Sequence, residues 1–244
     1  QTKMGSNAST SESSTTSTFT PEVETREIKG RKVTKTTLQP PGTEGKLAFV
    51  LDGVFSEEKC KEWIKMTEDK GYEKALVNIG GGKQKLMEDV RNNMRCIIDS
   101  HELANELFEI IKEFLPETFK RDRIVSLNER LRFLRYDPGQ KFEPHMDGMY
   151  VRPDRIEKSH ITVQLYLNGG FEGGATTFLN DFESERLEVV PEPGRVLIFE
   201  HRLLHEGSAL IKGRKYACRT DVMYTSKKSE DDIFKSKDVL IARG

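Results

Sequence analysis

The stretch LRFLRYDPGQKFEPHMDG, residues 131–148, decides the architecture of this chain. LRFLRY (131–136) reads as a strand, Asp137-Pro138-Gly139 as a turn, and the short run from Phe142 as a second extended segment ending on His145-Met146-Asp147. Runs of the same kind follow at HITVQLYLN (160–168), ATTFL (175–179), LEVV (187–190), RVLIFE (195–200) and YACRTDVMY (216–224), separated by Gly, Pro and Asn. No helix-length pattern lies between them, so they predict an antiparallel sandwich or barrel. Upstream of Pro116 the pattern differs. KLAFVLDGVF (46–55) predicts a strand, and Ser56 with Glu57 and Glu58 caps a helix to about Lys70 that presents Cys60, Trp63, Ile64 and Thr67 on one face. A second helix is expected over 100–114, with Leu103, Leu107, Ile110, Ile111 and Phe114 inward and Pro116 ending it. The fold class is therefore mostly β with flanking helices, an α+β arrangement in which helices support a C-terminal β-barrel.

Composition narrows the function classes. The 244 residues are 35% hydrophobic and 32% charged, with 39 basic and 40 acidic side chains, enough apolar content for one core and no bulk charge to draw phosphate backbones or anionic lipid. Nucleic acid and membrane are not expected partners, and no apolar run approaches the roughly 20 residues of a spanning helix. Cys60, Cys96 and Cys218 are odd in number, far apart and without a CxxC pair, which argues against a disulfide framework or zinc site and reads as small buried side chains in a reducing compartment. Cytoplasm or nucleus is favoured. Because the chain starts at Gln1, an upstream targeting segment and a secretory lumen stay open. Residues 1–20 are dominated by Ser and Thr, too polar to offset the entropy of ordering, and the Asn7-Ala8-Ser9 sequon carries little weight without a secretory context. With Pro40-Pro41-Gly42 punctuating the next stretch, residues 1–45 are expected to be a disordered or extended tail, and packed structure to begin near Lys46.

The histidines carry the chemistry. His145 and Asp147 are i and i+2 on an extended segment, so both side chains point to one face, and His205 follows 58 residues after Asp147, just past the strand ending at Glu200. Two imidazoles and a carboxylate cover one face of an octahedral ion and leave the opposite positions open, as non-haem Fe(II) requires if it is also to bind a co-substrate and O2. An H-x-D pair alone is common by chance. The order around it is more specific: a Tyr-x-x-Gly turn before it, a Gly-Gly turn between later strands, and a basic strand ten residues after the last histidine.

In that order LRFLRYDPGQKFEPHMDG, TVQLYLNGGFEGGATTF, EPGRVLIFEHRLLHEG and GRKYACRTDVMY resemble the Fe(II)- and 2-oxoglutarate-dependent dioxygenases of the prolyl 4-hydroxylase-like branch, over about the last half of the chain. The resemblance implies a double-stranded β-helix (jelly-roll or cupin-like) barrel, iron on His145, Asp147 and His205, and hydroxylation coupled to oxidative decarboxylation of 2-oxoglutarate, with O2 as co-substrate and ascorbate as reductant. It divides the chain into a tail (1–45) and one oxygenase domain (46–244): helical support over 46–120, the catalytic β core over 121–228 and an extension over 229–244. It also implies a protein, peptide or small-molecule substrate, first a prolyl residue; hydroxylation of a free amino acid or metabolite, or a non-catalytic ligand-binding barrel, are the alternatives. Oligomeric state is not legible.

The far carboxylate of 2-oxoglutarate needs a buried cation, because an unpaired charge inside a barrel is costly. Lys215 stands where the resemblance places that partner, and Arg219, four residues on along the same face, is its rival. Tyr136 and Tyr166 match pocket tyrosines, and Thr162, with Gln164, shares Tyr166's face by period-two counting. Arg91 and Asn93 are candidate substrate contacts at the barrel mouth. Gly173-Gly174 reads as a tight turn without chemistry, His201 as outside the ligand set, His160 as a surface or supporting residue, and Gly80-Gly81-Gly82 and Tyr150–Lys158 as flexible loops or lids. Neutral imidazoles are needed for metal binding, so activity is expected to fall in acid.

Overall fold

The computed structural model describes residues 19–79 and 83–227. Strands β1 (Val23–Ile28) and β2 (Arg31–Thr37) form a hairpin whose two turn residues, Lys29 and Gly30, have φ of 51° and 73°. That pair of left-handed residues gives a turn with the twist of the flanking strands. β3 (Ala48–Asp52) pairs with β2, so the hairpin extends the main sheet. This corrects the expected tail over 1–45: residues 23–37 are paired strand. The alternation there is masked by Thr, Lys, Arg and Glu, with only Ile28 and Val33 buried.

Helix α1 (Glu57–Lys70) starts where Ser56 Oγ accepts the Lys59 N–H, and it buries Cys60, Trp63 and Thr67. Trp63 packs edge-on against Phe55 at 5.0 Å and Phe133 at 5.6 Å, which ties the helix to the sheet. Three two-residue strands, β4 (Glu73–Lys74), β5 (Val77–Asn78) and β6 (Gln84–Lys85), lead to β7 (Met94–Asp99). Helix α2 (His101–Ile111), capped by Ser100 and closed by a 3-10 turn over Lys112–Phe114, buries Leu107, Ile110 and Ile111 on the same core.

The remaining elements among the described residues are strands: β8 (Thr118–Phe119), β9 (Asp122–Leu127), β10 (Arg130–Tyr136), β11 (Phe142–His145), β12 (Glu157–Tyr166), β13 (Glu172–Gly173), β14 (Thr176–Leu179), β15 (Arg186–Val189), β16 (Val196–Glu200), β17 (His205–Gly207), β18 (Leu210–Lys212) and β19 (Lys215–Thr225). The main sheet runs β1-β2-β3-β16-β12-β19-β10-β7-β4, with β9 beside β19, and a four-stranded sheet runs β11-β17-β14-β15. All pairings are antiparallel. The two sheets remain open at their edges rather than closing into a barrel. One face of the main sheet carries the helices and the large core; the other faces the small sheet, and the cavity lies between the two. Cys60, Cys96 and Cys218 are buried free thiols, and among the described residues no helix is long and apolar enough to cross a membrane. The sequon at 7–9, Gly80 to Gly82 and the extension over 229–244 lie outside the described residues.

Candidate active site

Strand pairing brings the histidines together: His145 on β11 lies in register with His205 on β17, and their ring centroids are 4.4 Å apart. Asp147 Oδ1 is 4.0 Å from His145 Nε2, and its Oδ2 is 3.9 Å from His205 Nε2. One ligand atom from each residue falls within 4.8 Å of the others. His145 Nδ1 lies 2.7 Å from the Glu143 carbonyl and His205 Nδ1 2.9 Å from the Leu203 carbonyl. A carbonyl only accepts, so both Nδ1 atoms carry the proton and both Nε2 atoms present lone pairs. Phe142 stacks on His145 at 3.6 Å and Phe199 meets His205 edge-on at 4.7 Å, fixing the ring tilts.

Electrostatics keep these donors ready. Burial, reinforced by His205, pushes His145 down to about 3, and burial likewise lowers His205. His145 is therefore neutral through the ordinary imidazole range and His205 is biased the same way, so the acid loss of activity expected from their titration is shifted to lower pH. Burial opposes ionisation of Asp147, but Arg219, whose Nη2 is 2.9 Å from Oδ1, together with the two imidazoles and the Thr162 hydrogen bond outweighs it and holds the carboxyl below the usual range. Two neutral imidazole nitrogens and one ionised carboxylate converging on a point fit ferrous iron with positions left open.

A chain of hydrogen bonds with one consistent direction supports Asp147. Tyr150 N–H donates to Ser159 Oγ (2.9 Å), and Ser159 Oγ lies 2.8 Å from His201 Nε2. His201 Nδ1 lies 2.9 Å from Thr162 Oγ1, which donates to Asp147 Oδ2 at 2.5 Å. Because the Thr162 proton goes to Asp147, its oxygen accepts from His201 Nδ1–H, which leaves Nε2 to accept from Ser159. Burial pushes His201 down to about 4, in keeping with a neutral ring. Thr162, read as co-substrate lining, instead positions Asp147, because its short side chain ends at that carboxylate. His201, outside the ligand set, links Ser159 to Thr162.

Beside the triad lies a cavity of about 490 Å³, within the usual range for small-molecule sites. Lys215 enters it from the start of β19, only 2% exposed, with Nζ donating to the Gly174 carbonyl at 2.6 Å and facing the Tyr136 and Tyr166 rings at 5.0 and 5.7 Å. No carboxylate among the described residues pairs with it, and burial pushes its pKa down to about 7. The Gly173-Gly174 turn, read as silent, supplies that carbonyl. Both glycines have positive φ (76° and 69°), and a Cβ on Gly173 would lie 2.5 Å from the Ala209 carbonyl. Arg219 contacts Asp147 and Asp221 instead, the latter at 3.2 Å.

Tyr136 lines the cavity, and burial raises its phenol pKa. Tyr166 is fully buried in the small core, donates to Thr176 Oγ1 at 2.8 Å and does not reach the cavity wall; Gln164, bonded to the same Thr176, does. Arg91 lines the cavity as expected. Asn93 does not: it is wholly buried, accepting Arg91 Nε–H at 2.8 Å and donating to the Met94 carbonyl. The segment 150–158 is tied down, since Arg152 pairs with both Glu129 and Glu157 at 2.7 Å and Val151 bridges Lys158. Sequence reasoning missed Arg132, Asp221 and Ser159. Period-two counting puts Arg132 on the face of Tyr136 and Asp221 on that of Lys215 and Arg219, and a charge on an inward face of a central strand was the available signal.

Residues 131–220 match the model of the 2OG-Fe(II) oxygenase superfamily. Similar curated proteins include Prolyl 4-hydroxylase 2 of Arabidopsis thaliana, 24% identical over 202 residues (70% of this chain, 64% of that protein). Probable prolyl 4-hydroxylase 7 of the same plant is 27% identical over 136 residues (53% and 40%), and Probable prolyl 4-hydroxylase 6 is 30% identical over 141 residues (54% and 46%). The chain thus spans between 40% and 64% of the length of these relatives. Among solved structures, the viral collagen prolyl hydroxylase of Paramecium bursaria Chlorella virus-1, in its 2OG complex, superposes with a TM-score of 0.54 at 23% identity (74% of this chain, 97% of that one). The prolyl hydroxylase of Trichoplax adhaerens, bound to a hypoxia inducible factor oxygen degradation domain peptide, gives 0.52 at 16% (70% and 78%). At these identities the structural likeness speaks for the fold.

Proposed function

We propose, from the premise that residues 131–220 belong to the 2OG-Fe(II) oxygenase superfamily in its prolyl 4-hydroxylase-like branch, that this protein hydroxylates a substrate carbon with Fe(II), 2-oxoglutarate and O2. The observation that carries the reading is the pairing of a His145–Asp147–His205 face with a buried cation, Lys215, that meets no acid among the described residues. Iron bound there with 2-oxoglutarate supplies O2 activation, coupling decarboxylation of the keto acid to succinate with insertion of oxygen into a C–H bond. The chain's own residues do the rest. His145 and His205 offer Nε2 lone pairs from a fixed tautomer, and Thr162 and Arg219 hold Asp147 ionised and oriented. Lys215 receives the far carboxylate, with the Tyr136 ring beside it, and the open side of the cavity admits the substrate.

The first substrate class is a prolyl residue in a protein or peptide, supported by the names of the relatives; a free amino acid or small metabolite is the other reading. The three buried thiols suit a reducing compartment, cytoplasm or nucleus. Incubation with Fe(II), ascorbate and labelled 2-oxoglutarate is expected to release succinate, with a mass gain of one oxygen on the accepted substrate. Absence of succinate above a metal-free control, with every substrate class offered, would instead make this fold a binding module.

A further inference from the structure

Charge on the cavity wall is unevenly distributed. Fe(II), Asp147, Lys215 and the two carboxylates of 2-oxoglutarate neutralise one another in formal charge. Beyond them the wall carries Arg91, Arg132 and Arg219 with Asp221 as the one further carboxylate among them, shared by Arg132 (3.3 Å) and Arg219 (3.2 Å). The other charged groups on the wall are already paired: Arg95 with Glu73, Arg130 with Asp99 and Glu206 with Arg186. Two positive charges are thus left in a largely desolvated space, an arrangement that is costly unless an anion arrives.

Arg91 is the cation best placed to receive it. Among the described residues no carboxylate lies within 4 Å of its guanidinium, and its only hydrogen bond is from Nε to Asn93 Oδ1. Asn93 is fully buried and held by the Met94 carbonyl, so it clamps one edge of the guanidinium and leaves the terminal nitrogens to the cavity. The guanidinium lies 4.5 Å over the Phe142 ring, which also stacks on His145. An anion on Arg91 is therefore separated from a metal ligand by one aromatic ring. Burial weakens the charge of Arg91, with Arg219 and Arg95 adding to that loss and Tyr136 and then Asp147 opposing it. The guanidinium presents a planar fork suited to two carboxylate oxygens.

Resting on the oxygenase reading, we propose that the substrate carries a carboxylate next to the carbon that is hydroxylated, and that Arg91 recognises that group. Two sources have this chemistry, an acidic side chain flanking the target residue in a peptide and the main-chain carboxylate of a small amino-acid derivative. Two matched pairs of probes separate them: a proline-containing nonapeptide with Glu or with Gln on both sides of the proline, and N-acetylproline with its primary amide. Binding of each is measured by calorimetry on protein loaded with Mn(II) and 2-oxoglutarate, and succinate release is measured separately with Fe(II).

The acid member of at least one pair is expected to bind roughly tenfold or more tightly than its neutral twin, as charged hydrogen bonds imply. The margin should shrink with added salt. Arg91→Gln should erase it and Arg91→Lys restore part of it, with thermal unfolding reporting that each variant is folded. Equal binding within both pairs, failure of all four probes to bind at millimolar concentration, or a preference that survives Arg91→Gln in folded protein would overturn the inference. Succinate production with no acid preference sinks this inference alone, whereas acid-selective binding without succinate under any condition sinks the oxygenase reading.

Discussion

The two cations that β19 sends into the cavity have opposite surroundings. Lys215 lies among two tyrosine rings and a backbone carbonyl, with no acid in contact among the described residues. Four residues along the same strand, Arg219 touches Asp147 and Asp221, and Asp221 also takes Arg132. A buried charge without a counter-charge is tolerable where a ligand brings one, while a charge already neutralised by the fold is there to position its partners. On the function proposed above, this contrast is the reason for preferring Lys215 as partner of the far carboxylate of 2-oxoglutarate, with Arg219 bracing Asp147.

The most severe way to break the arrangement is to remove the metal face that both ends serve. His205→Ala is expected to abolish stoichiometric Fe(II) binding in anaerobic equilibrium dialysis and to reduce succinate formation to background. Next comes Arg219→Ala, which strips buried Asp147 of its guanidinium partner and leaves Asp221 with Arg132 alone; a loss of about 3–5 kcal/mol is expected in denaturant unfolding. The 2-oxoglutarate affinity of the protein that remains folded should change little. Lys215→Ala should do the reverse. Truncating one side of a buried charge contact costs about 2–5 kcal/mol in co-substrate binding, read as the KM for 2-oxoglutarate. The apo protein should be no less stable, because a lone buried charge has been removed.

Smaller effects sharpen the same contrast. Thr162→Val cuts the donor to Asp147 while keeping the side chain's shape, and metal affinity is expected to fall roughly 10–100-fold by metal titration. The pH dependence follows from Lys215, which burial pushes down to about 7 in the free protein. Below that pH the ammonium form is present; above it the site is neutral and must take up a proton to hold a carboxylate. The KM for 2-oxoglutarate should therefore climb above pH 7, by up to about tenfold per unit. Lys215→Arg, charged throughout, should flatten the profile even if it weakens binding overall.

Much of this was legible in sequence because local pattern and global fold agree. The strands carrying the site have period-two faces, so His145 with Asp147, and Lys215 with Arg219, could be placed side by side before any coordinates. His205 was reachable through the order of motifs, but its register opposite His145 is a non-local pairing that periodicity does not encode. The hairpin over 23–37 was missed because its outward residues are charged or Thr and only Ile28 and Val33 are buried; Lys29-Gly30 was the overlooked signal. Thr162, Tyr166 and Asn93 were assigned to the correct faces or segments yet to the wrong neighbours. Whether a side chain reaches a cavity or stops one atom short, at Asp147, Thr176 or Arg91, is decided by sheet spacing and packing.

The most direct test of the central claim is a crystal structure of the protein grown anaerobically with Fe(II) and 2-oxoglutarate. The account predicts iron on His145 Nε2, His205 Nε2 and Asp147, with the far carboxylate in contact with Lys215 Nζ and Arg219 still on Asp147 and Asp221. A far carboxylate seated on Arg219, or iron held by any other set of side chains, would contradict it.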